Sequence, residues 1–433
     1  MKKPILTILL SLITAVSFAA DIIGVGATQV KNGNDTLLFF KDEIHLKADT
    51  LVDWYHTDGT LFQSDAQDIY PDDGGYYFVK NSSYQSSPVY AFVYADSVSG
   101  LTTAVEADCD VTLLQLQGNT APFVYTRPDG TQGTYERRCT IQYTTLSWGD
   151  NTWQDSTVTM STTLYAGYYT LPTTLLSATT ITLCYDGDLR SALAIPDSIC
   201  VAHDVKPDDI HAVAMRLTSE TVARTDSNEM KRPTGSDIIK VSSTDKWSGP
   251  LEVTFRSNPT PAVKYYRWTI YHGTEVWKTR QDIEYHDFFS EPGSYRIVCT
   301  VNNQYCTSDS MEMVVAITES DLRVPNTFTP NGDGKNDEFR VAYRSLREYH
   351  IWIYNRWGKL VYESSDPAKG WDGMIGNRPA SEGAYYYVIR AIGTDADKNA
   401  HYMGKISYNN KKTKGDESIL GIYQLSGDIN LIR

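Results

Sequence analysis

The sequence predicts an all-β fold, a series of β-sandwich domains followed by a small C-terminal β-sandwich domain. Three observations carry this. Turn formers such as Asp58-Gly59, Asp72-Asp73-Gly74-Gly75, Pro128-Asp129-Gly130 and Gly149-Asp150-Asn151 recur along the chain. Roughly one falls every 10–15 residues, which is the rhythm of antiparallel sandwiches. Between them lie short runs rich in Thr and aromatics, including 30 Tyr, and such side chains suit a half-buried pleated surface. Finally, 433 residues at 41% hydrophobic and 21% charged content can bury several cores and fit about three or four domains.

The first 20 residues read as a secretory signal peptide. Lys2 and Lys3 precede an apolar run over 5–16, and Ser17-Phe18-Ala19 supplies the small-x-small site. This is the order of charged, apolar and cleavage regions in such leaders. The run is too short for a permanent span, and no Cys follows it to carry a lipid.

Residues 21–97 form the first expected sandwich. Its strands are the LLFF run at 37–40, LVDWYHTDGTLF, GGYYFVK and VYAFVYAD. Trp54 occupies the place of a central-strand core Trp, and Tyr76 follows a Gly-rich corner. The layout resembles an immunoglobulin-like domain. Residues 98–224 form a second, Thr-rich sandwich, large enough for an extra hairpin; its stretch 207–224 reads as a helix or another strand. Residues 225–236 (TDSNEMKRPTGS) have linker composition. Residues 237–318 form a third sandwich, where Trp268 and the Gly293-Ser294-Tyr295 corner repeat the pattern of the first. That stretch resembles a PKD or immunoglobulin-like domain.

Six cysteines are present, and behind a leader an even count permits disulfides. Nearest-neighbour pairing gives Cys109–Cys139, Cys184–Cys200 and Cys299–Cys306, the last closed by a tight turn. No zinc-type Cys/His spacing occurs. The net charge is −14, whereas residues 319–433 hold 16 Lys and Arg against 15 Asp and Glu. The acidity therefore lies in the body, and it argues against a nucleic-acid partner, since phosphates need a basic patch.

No catalytic signature stands out. The densest group of catalytic residue types is His203, Asp204, Asp208, Asp209 and His211, and charged loops account for it. There is no GxSxG elbow, HExxH or phosphate-cradling Gly loop.

The C-terminal stretch 319–433 is the most specific. It carries FTPNGDGKNDEF, IYNRWGKLVYES, GWDG, GAYYYVI and a closing INLIR. The first holds Thr329, Pro330, Asn331, Gly332, Asp333, Gly334, Asn336 and Asp337. The second joins two alternating strands through Asn355-Arg356-Trp357-Gly358, which is hairpin grammar. Trp371-Asp372-Gly373 marks another turn, Gly383 and Tyr385 open a third strand, and Arg433 closes the chain. Asn331, Asp333 and Asp337 alternate as calcium ligands do, although Lys335 occupies the intervening position. No other cofactor is expected.

In this order the motifs resemble the gliding motility-associated C-terminal domain, the type B sorting domain of the type IX secretion system. The resemblance implies export to the cell surface or medium. It also implies two partners, the type IX translocon and a dedicated outer-membrane protein. A lysine-rich segment over 396–418 departs from the family pattern. Six Asp-Ser/Thr sites, at Thr36, Thr50, Ser97, Ser156, Ser198 and Ser310, resemble the O-glycosylation motif of the same bacteria. The reading that follows is a non-enzymatic surface or secreted binding or adhesion protein with a glycan or protein ligand. The alternatives are a component of the secretion apparatus that keeps its tail, and a secreted hydrolase with a sorting tail.

Overall fold

The structure, a computed structural model, describes residues 22–81, 84–94, 98–195, 199–223, 226, 228–232, 238–241, 243–308, 310–398 and 421–433. It is nearly all β, at 59% strand against 2% helix, as expected. The leader, Ser97, Ser198 and most of the lysine-rich segment lie outside the described residues. The chain divides into two units, Met1–Leu146 with Asp155–Ile210, and Ser147–Gln154 with His211–Arg433.

The first unit opens with a sheet in the order Ile23–Gly24, Leu46–His56, Gly74–Asn81, Val89–Val93, Asp35–Phe40, Thr28–Asn32. Strands Asp35–Phe40 and Val89–Val93 run parallel. Leu38 and Phe40 pack on one face with Trp54 and Phe78. Leu37 and Phe39 pack on the other, with Tyr90, Phe92, Phe123 and Tyr125. A strand covered on both sides needs a continuous apolar run rather than alternation, which is why LLFF is unbroken. The ring of Phe123 meets Phe39 edge-on at 4.9 Å. Residues from 98 onward therefore cover the second face of the first sheet, and 97/98 is not the boundary between two independent cores. The rest of this unit adds a sheet of Gly167–Thr170, Thr112–Asn119 and Ser99–Ala107, the hairpin Phe123–Thr126 with Gln132–Tyr135, and a four-stranded sheet.

The second unit contains a two-sheet sandwich. One sheet runs Ile238–Lys240, Thr218–Val222, Leu251–Arg256, Glu284–Phe289. The other runs Lys246–Trp247, Met311–Ile317, Gly293–Asn302, Tyr265–His272, Glu275–Arg280. Trp268, Phe255, Tyr285 and Ile297 fill the core between them. Thr218–Val222 and Ile238–Lys240 are paired neighbours in one sheet. The described residues of the expected linker 225–236, namely 226 and 228–232, therefore lie between two strands of this domain, which begins near 211 rather than 237. The uncertain stretch 207–224 becomes a 3-10 turn at Pro207–Asp209 and the strand Thr218–Val222.

Both core tryptophans stand where the sequence placed them, fully buried. Their indole N–H groups donate to Ala66 O at 3.0 Å and Asp282 O at 2.7 Å. The Gly-x-Tyr corner is more widespread than the sequence reading found. Strands Gly74–Asn81, Gly167–Thr170, Gly293–Asn302 and Gly383–Gly393 each start with Gly and place Tyr at the third position. Tyr76, Tyr169, Tyr295 and Tyr385 each donate a hydroxyl bond to the carbonyl four residues earlier, at 2.7–3.0 Å. This is the geometry of a tyrosine corner. It pins each strand entry with a bond worth about 1 kcal/mol.

Two of the three expected disulfides are corrected. Cys184 and Cys200 are bonded, as directly opposed residues on neighbouring strands. Cys139 and Cys299 are free and buried, while Cys109 and Cys306 are disulfide-bonded, so neither Cys109–Cys139 nor Cys299–Cys306 forms. Strand register is the reason. Cys299 lies opposite Met311 and Trp268, whereas Cys306 sits in the turn beyond the Asn302–Thr307 bridge. Cys139 is buried on a strand with Ile141 and Tyr143, its thiol 3.8 Å from Thr163 O. Burial pushes the thiols of Cys139 and Cys299 up to about 11 and about 12, and a thiol without thiolate is inert. A colourimetric thiol reagent at pH 8 should titrate no cysteine in the native protein and two after denaturation without reductant. Reaction in the native state would contradict this burial.

Candidate functional site

The C-terminal domain is organised on a five-stranded sheet. Its order is Thr327–Phe328, Ile422–Leu431, Gly383–Gly393, Leu346–Tyr354, Leu360–Ser364. Phe328, Phe339, Trp371, Tyr385, Ile389, Ile429 and Leu431 fill its core, so every expected motif contributes to, or borders, one cluster. No helix among the described residues is long and apolar enough to cross a membrane.

The NGDGKND loop closes on the carboxylate of Asp337. It accepts backbone N–H bonds from Asn331 at 3.0 Å and from Gly332 and Gly334 at 2.7 Å each. Thr329 N–H donates to Asn336 O at 2.8 Å across the neck. Asn331 Oδ1 takes the Asp333 N–H at 3.0 Å, and Asp333 Oδ1 takes the Lys335 N–H at 2.8 Å. Asp333 Oδ2 takes the Asn331 side-chain amide at 3.2 Å, so the side-chain oxygens of the three calcium candidates accept bonds from within their own loop. The N–H groups of Gly332, Gly334 and Asn331 hold the Asp337 carboxyl below the usual carboxylate range despite an opposing desolvation cost.

The NRWG segment is a tight hairpin turn. Asn355 Oδ1 accepts the N–H groups of Trp357 and Lys359 at 3.1 and 3.0 Å. Gly358 has φ 78°, a left-handed value that glycine takes without cost. Trp357 itself is 79% exposed, with the Arg356 guanidinium 4.9 Å from its ring.

The WDG turn is held from inside. Trp371 exchanges backbone hydrogen bonds with Phe339 and donates its indole N–H to Met374 O at 2.8 Å. Asp372 Oδ1 accepts the Met374 N–H at 2.9 Å. Gly373 has φ 73°, and a Cβ there would lie 3.0 Å from the Pro330 ring, so the turn and the NGDGKND loop pack against each other. Arg433 donates to the carbonyls of Ala380 and Gly373. Gly383 and Tyr385 form the corner described above. Most conspicuous residues of these motifs therefore build the fold, and Arg356 and Trp357 alone project from it among the predicted side chains of the NRWG turn.

The sequence reading missed the outer face of the sheet. His350 and Trp352 stack at 4.0 Å, and the Arg390 guanidinium lies 5.9 Å from the Trp352 ring. Tyr354 and the exposed Tyr386 pair on adjacent strands. The signal was present in the HIWIY alternation, where every second residue is an outward aromatic or His.

The His/Asp group is not assembled as a site. His203 bonds Thr103 O at 3.1 Å, Asp204 accepts the Thr180 hydroxyl at 2.7 Å, and Asp209 accepts the Lys206 N–H at 3.1 Å. His211 stacks on Tyr305 at 4.0 Å. Of the glycosylation candidates, Thr50 and Ser310 are exposed, and Thr36 and Ser156 are half-buried.

With this geometry in place, the chain can be set beside known families. Residues 322–407 match the CHU_C Type IX secretion signal domain. Residues 102–190 match a fibronectin type III domain. The chain thus carries a type IX secretion signal domain with an immunoglobulin-like fibronectin type III domain before it. This implies a type IX-secreted protein, exported to the cell surface or extracellular space. The folded domain runs beyond the matched residues, since Ile422–Leu431 is an interior strand of its sheet.

No curated protein matches the chain. Among solved structures it is similar to the native conformation of E. coli alpha-2-macroglobulin, with 9% identity, TM-score 0.25, and coverage of 76% of this chain and 26% of that one. It is also similar to Salmonella alpha-2-macroglobulin reacted with methylamine, with 11% identity, TM-score 0.15, and coverage of 87% and 29%. The chain spans under a third of the length of these macroglobulins.

The Asp337 loop makes a pH prediction. A carboxyl whose folded pKa is depressed stabilises the fold fully above its unfolded value and loses that contribution as pH falls through the folded pKa. The Gly332 and Gly334 amide resonances should stay unchanged from pH 7 down to about 4 and shift only below. In Asp337→Asn they should already be shifted at pH 7, and a chelator should not move them in the wild type.

Proposed function

We propose that this is a non-enzymatic binding or adhesion protein of the cell surface, or released from it. In this reading the sandwiches of residues 22–318 are spacer and recognition surface for a glycan or protein ligand. The leader at 1–20 takes the chain across the inner membrane, and the sorting domain then engages the type IX translocon and an outer-membrane partner. One observation carries the docking part. Nearly all motif side chains of the sorting domain are spent on its own fold, while Trp357 with Arg356 stands clear at a rigid hairpin tip. Exposed Trp and Arg are the residue types that dominate protein interfaces. The Cys184–Cys200 bond agrees with an oxidising compartment.

A second reading has one observation in its favour. The sorting domain is bonded to the sandwich before it (Tyr343 to residues 228–230), which suits a protein that keeps this domain and works within the secretion apparatus.

The test is export in a type IX-competent host. Arg356→Ala with Trp357→Ala should lower the surface and medium fraction at least about tenfold, the effect of losing one interface anchor, with an unchanged melting temperature. Export at the wild-type level would refute the tip as the docking element. Export of a chain lacking 319–433 would refute the sorting role itself.

A further inference from the structure

The loop of the third sandwich reaches into the sorting domain and completes one of its sheets. Strands Asp321–Arg323 and Ala342–Arg344 pair antiparallel. Glu229 bridges Tyr343 in parallel fashion. The Met230 N–H donates to Tyr343 O at 2.6 Å, and the Tyr343 N–H donates to Asn228 O at 3.2 Å. The Tyr343 hydroxyl donates to the Asp226 carboxylate at 2.5 Å. The loop therefore adds an edge to the sorting domain, which is the strand-addition mode of peptide recognition.

Beside this edge lies a buried polar knot. Ser345 and Ser248 are both fully buried. The Ser345 N–H donates to Ser248 Oγ at 2.7 Å. Ser345 Oγ accepts the Gly249 N–H at 3.0 Å and donates to Thr318 O at 2.8 Å. Ser345 O accepts the Thr394 N–H at 2.8 Å. Ser248 Oγ donates in turn to the Glu229 carboxylate at 2.7 Å, and Glu229 pairs with Arg232 at 3.3 Å, both side chains 2% exposed. At the rim, Lys398 pairs with Glu291. Separating the two domains would break the Ser345 bonds to Ser248, Gly249 and Thr318 and the Tyr343 bonds to Asp226, Asn228 and Met230 together.

We infer that Asp226, residues 228–232 and residues 248–249 of the third sandwich are a docking site for the sorting domain, so that the two remain one body and a cut in the chain joining them does not release the tail. This rests on the export reading only for its biological setting, because retention is read on the purified chain. A sorting domain held in this way stays with its cargo at the surface instead of being discarded.

The experiment inserts a protease recognition sequence between Glu319 and Ser320 of the full chain. The protein is cut to completion and run on native size exclusion with mass analysis of the fractions. Both fragments should elute together at the uncut position. In Tyr343→Ala with Ser345→Val the cut tail should elute separately. Separation of the wild-type fragments would overturn the inference, and so would co-elution of the doubly substituted ones. Tyr343→Phe removes the hydroxyl that bonds Asp226 and keeps the ring, so it covers the case in which the double variant does not fold. Its cut fragments should dissociate about tenfold faster than wild type, the effect of one charge-assisted hydrogen bond, and an unchanged rate would count against the site.

Discussion

Ser345 is the point on which the second unit turns. Its side chain has no exposure, and its φ of 50° is a value that a non-glycine residue adopts only under constraint. Its N–H and hydroxyl bonds to Ser248, Gly249 and Thr318 supply that constraint and tie the end of the third sandwich to the first long strand of the sorting domain, while its carbonyl accepts the Thr394 N–H. A buried hydroxyl is tolerated when all its partners are present and costly when one is lost. At Ser345 itself the N–H, the hydroxyl and the carbonyl are all partnered, which makes the contact geometrically specific. It also places Tyr343 where Asp226 and residues 228–230 can complete its edge.

The tyrosine corners show what a sequence makes legible and why. A strand entered through Gly-x-Tyr needs only the tyrosine hydroxyl and a carbonyl four residues back, so the whole device lies within a few residues. Tyr76 and Tyr295 were readable for that reason, and the same pattern explains Gly167 to Tyr169 and the Gly383 to Tyr385 motif of the sorting domain. The Asn355 and Asp337 turns are local in the same way. Trp54 and Trp268 were readable because a single large aromatic in an alternating run has few places to go other than the core.

What escaped the sequence was set by distant partners. The stretch 225–236 has the composition of a linker, and its described residues find a partner in Tyr343, 117 residues beyond Asp226. The cysteine pairing failed on register. Cys299 and Cys306 are neighbours in sequence, but a hairpin that brings Asn302 opposite Thr307 sends them to different levels. The boundary at 97/98 failed because the LLFF strand is covered on both faces, and its second cover comes from Phe123 and Tyr125. The role of Arg433 was visible only as part of a family motif; its two carbonyl partners, on Gly373 and Ala380, are fixed by the fold.

A specific export signal is thus joined to the domain that carries it. The signal's motifs are mostly structural, its hairpin tip is the exposed element, and its inner edge is occupied by the preceding sandwich. The measurement that reaches this claim most directly is hydrogen exchange of the intact protein, followed by mass spectrometry at peptide resolution. The amides of Met230, Tyr343 and Ser345 are predicted to exchange as slowly as the interior strand Gly383–Gly393, because opening them requires the two domains to part. Exchange at the rate of free peptide in 228–232 and 343–345, with the strand still protected, would contradict the account.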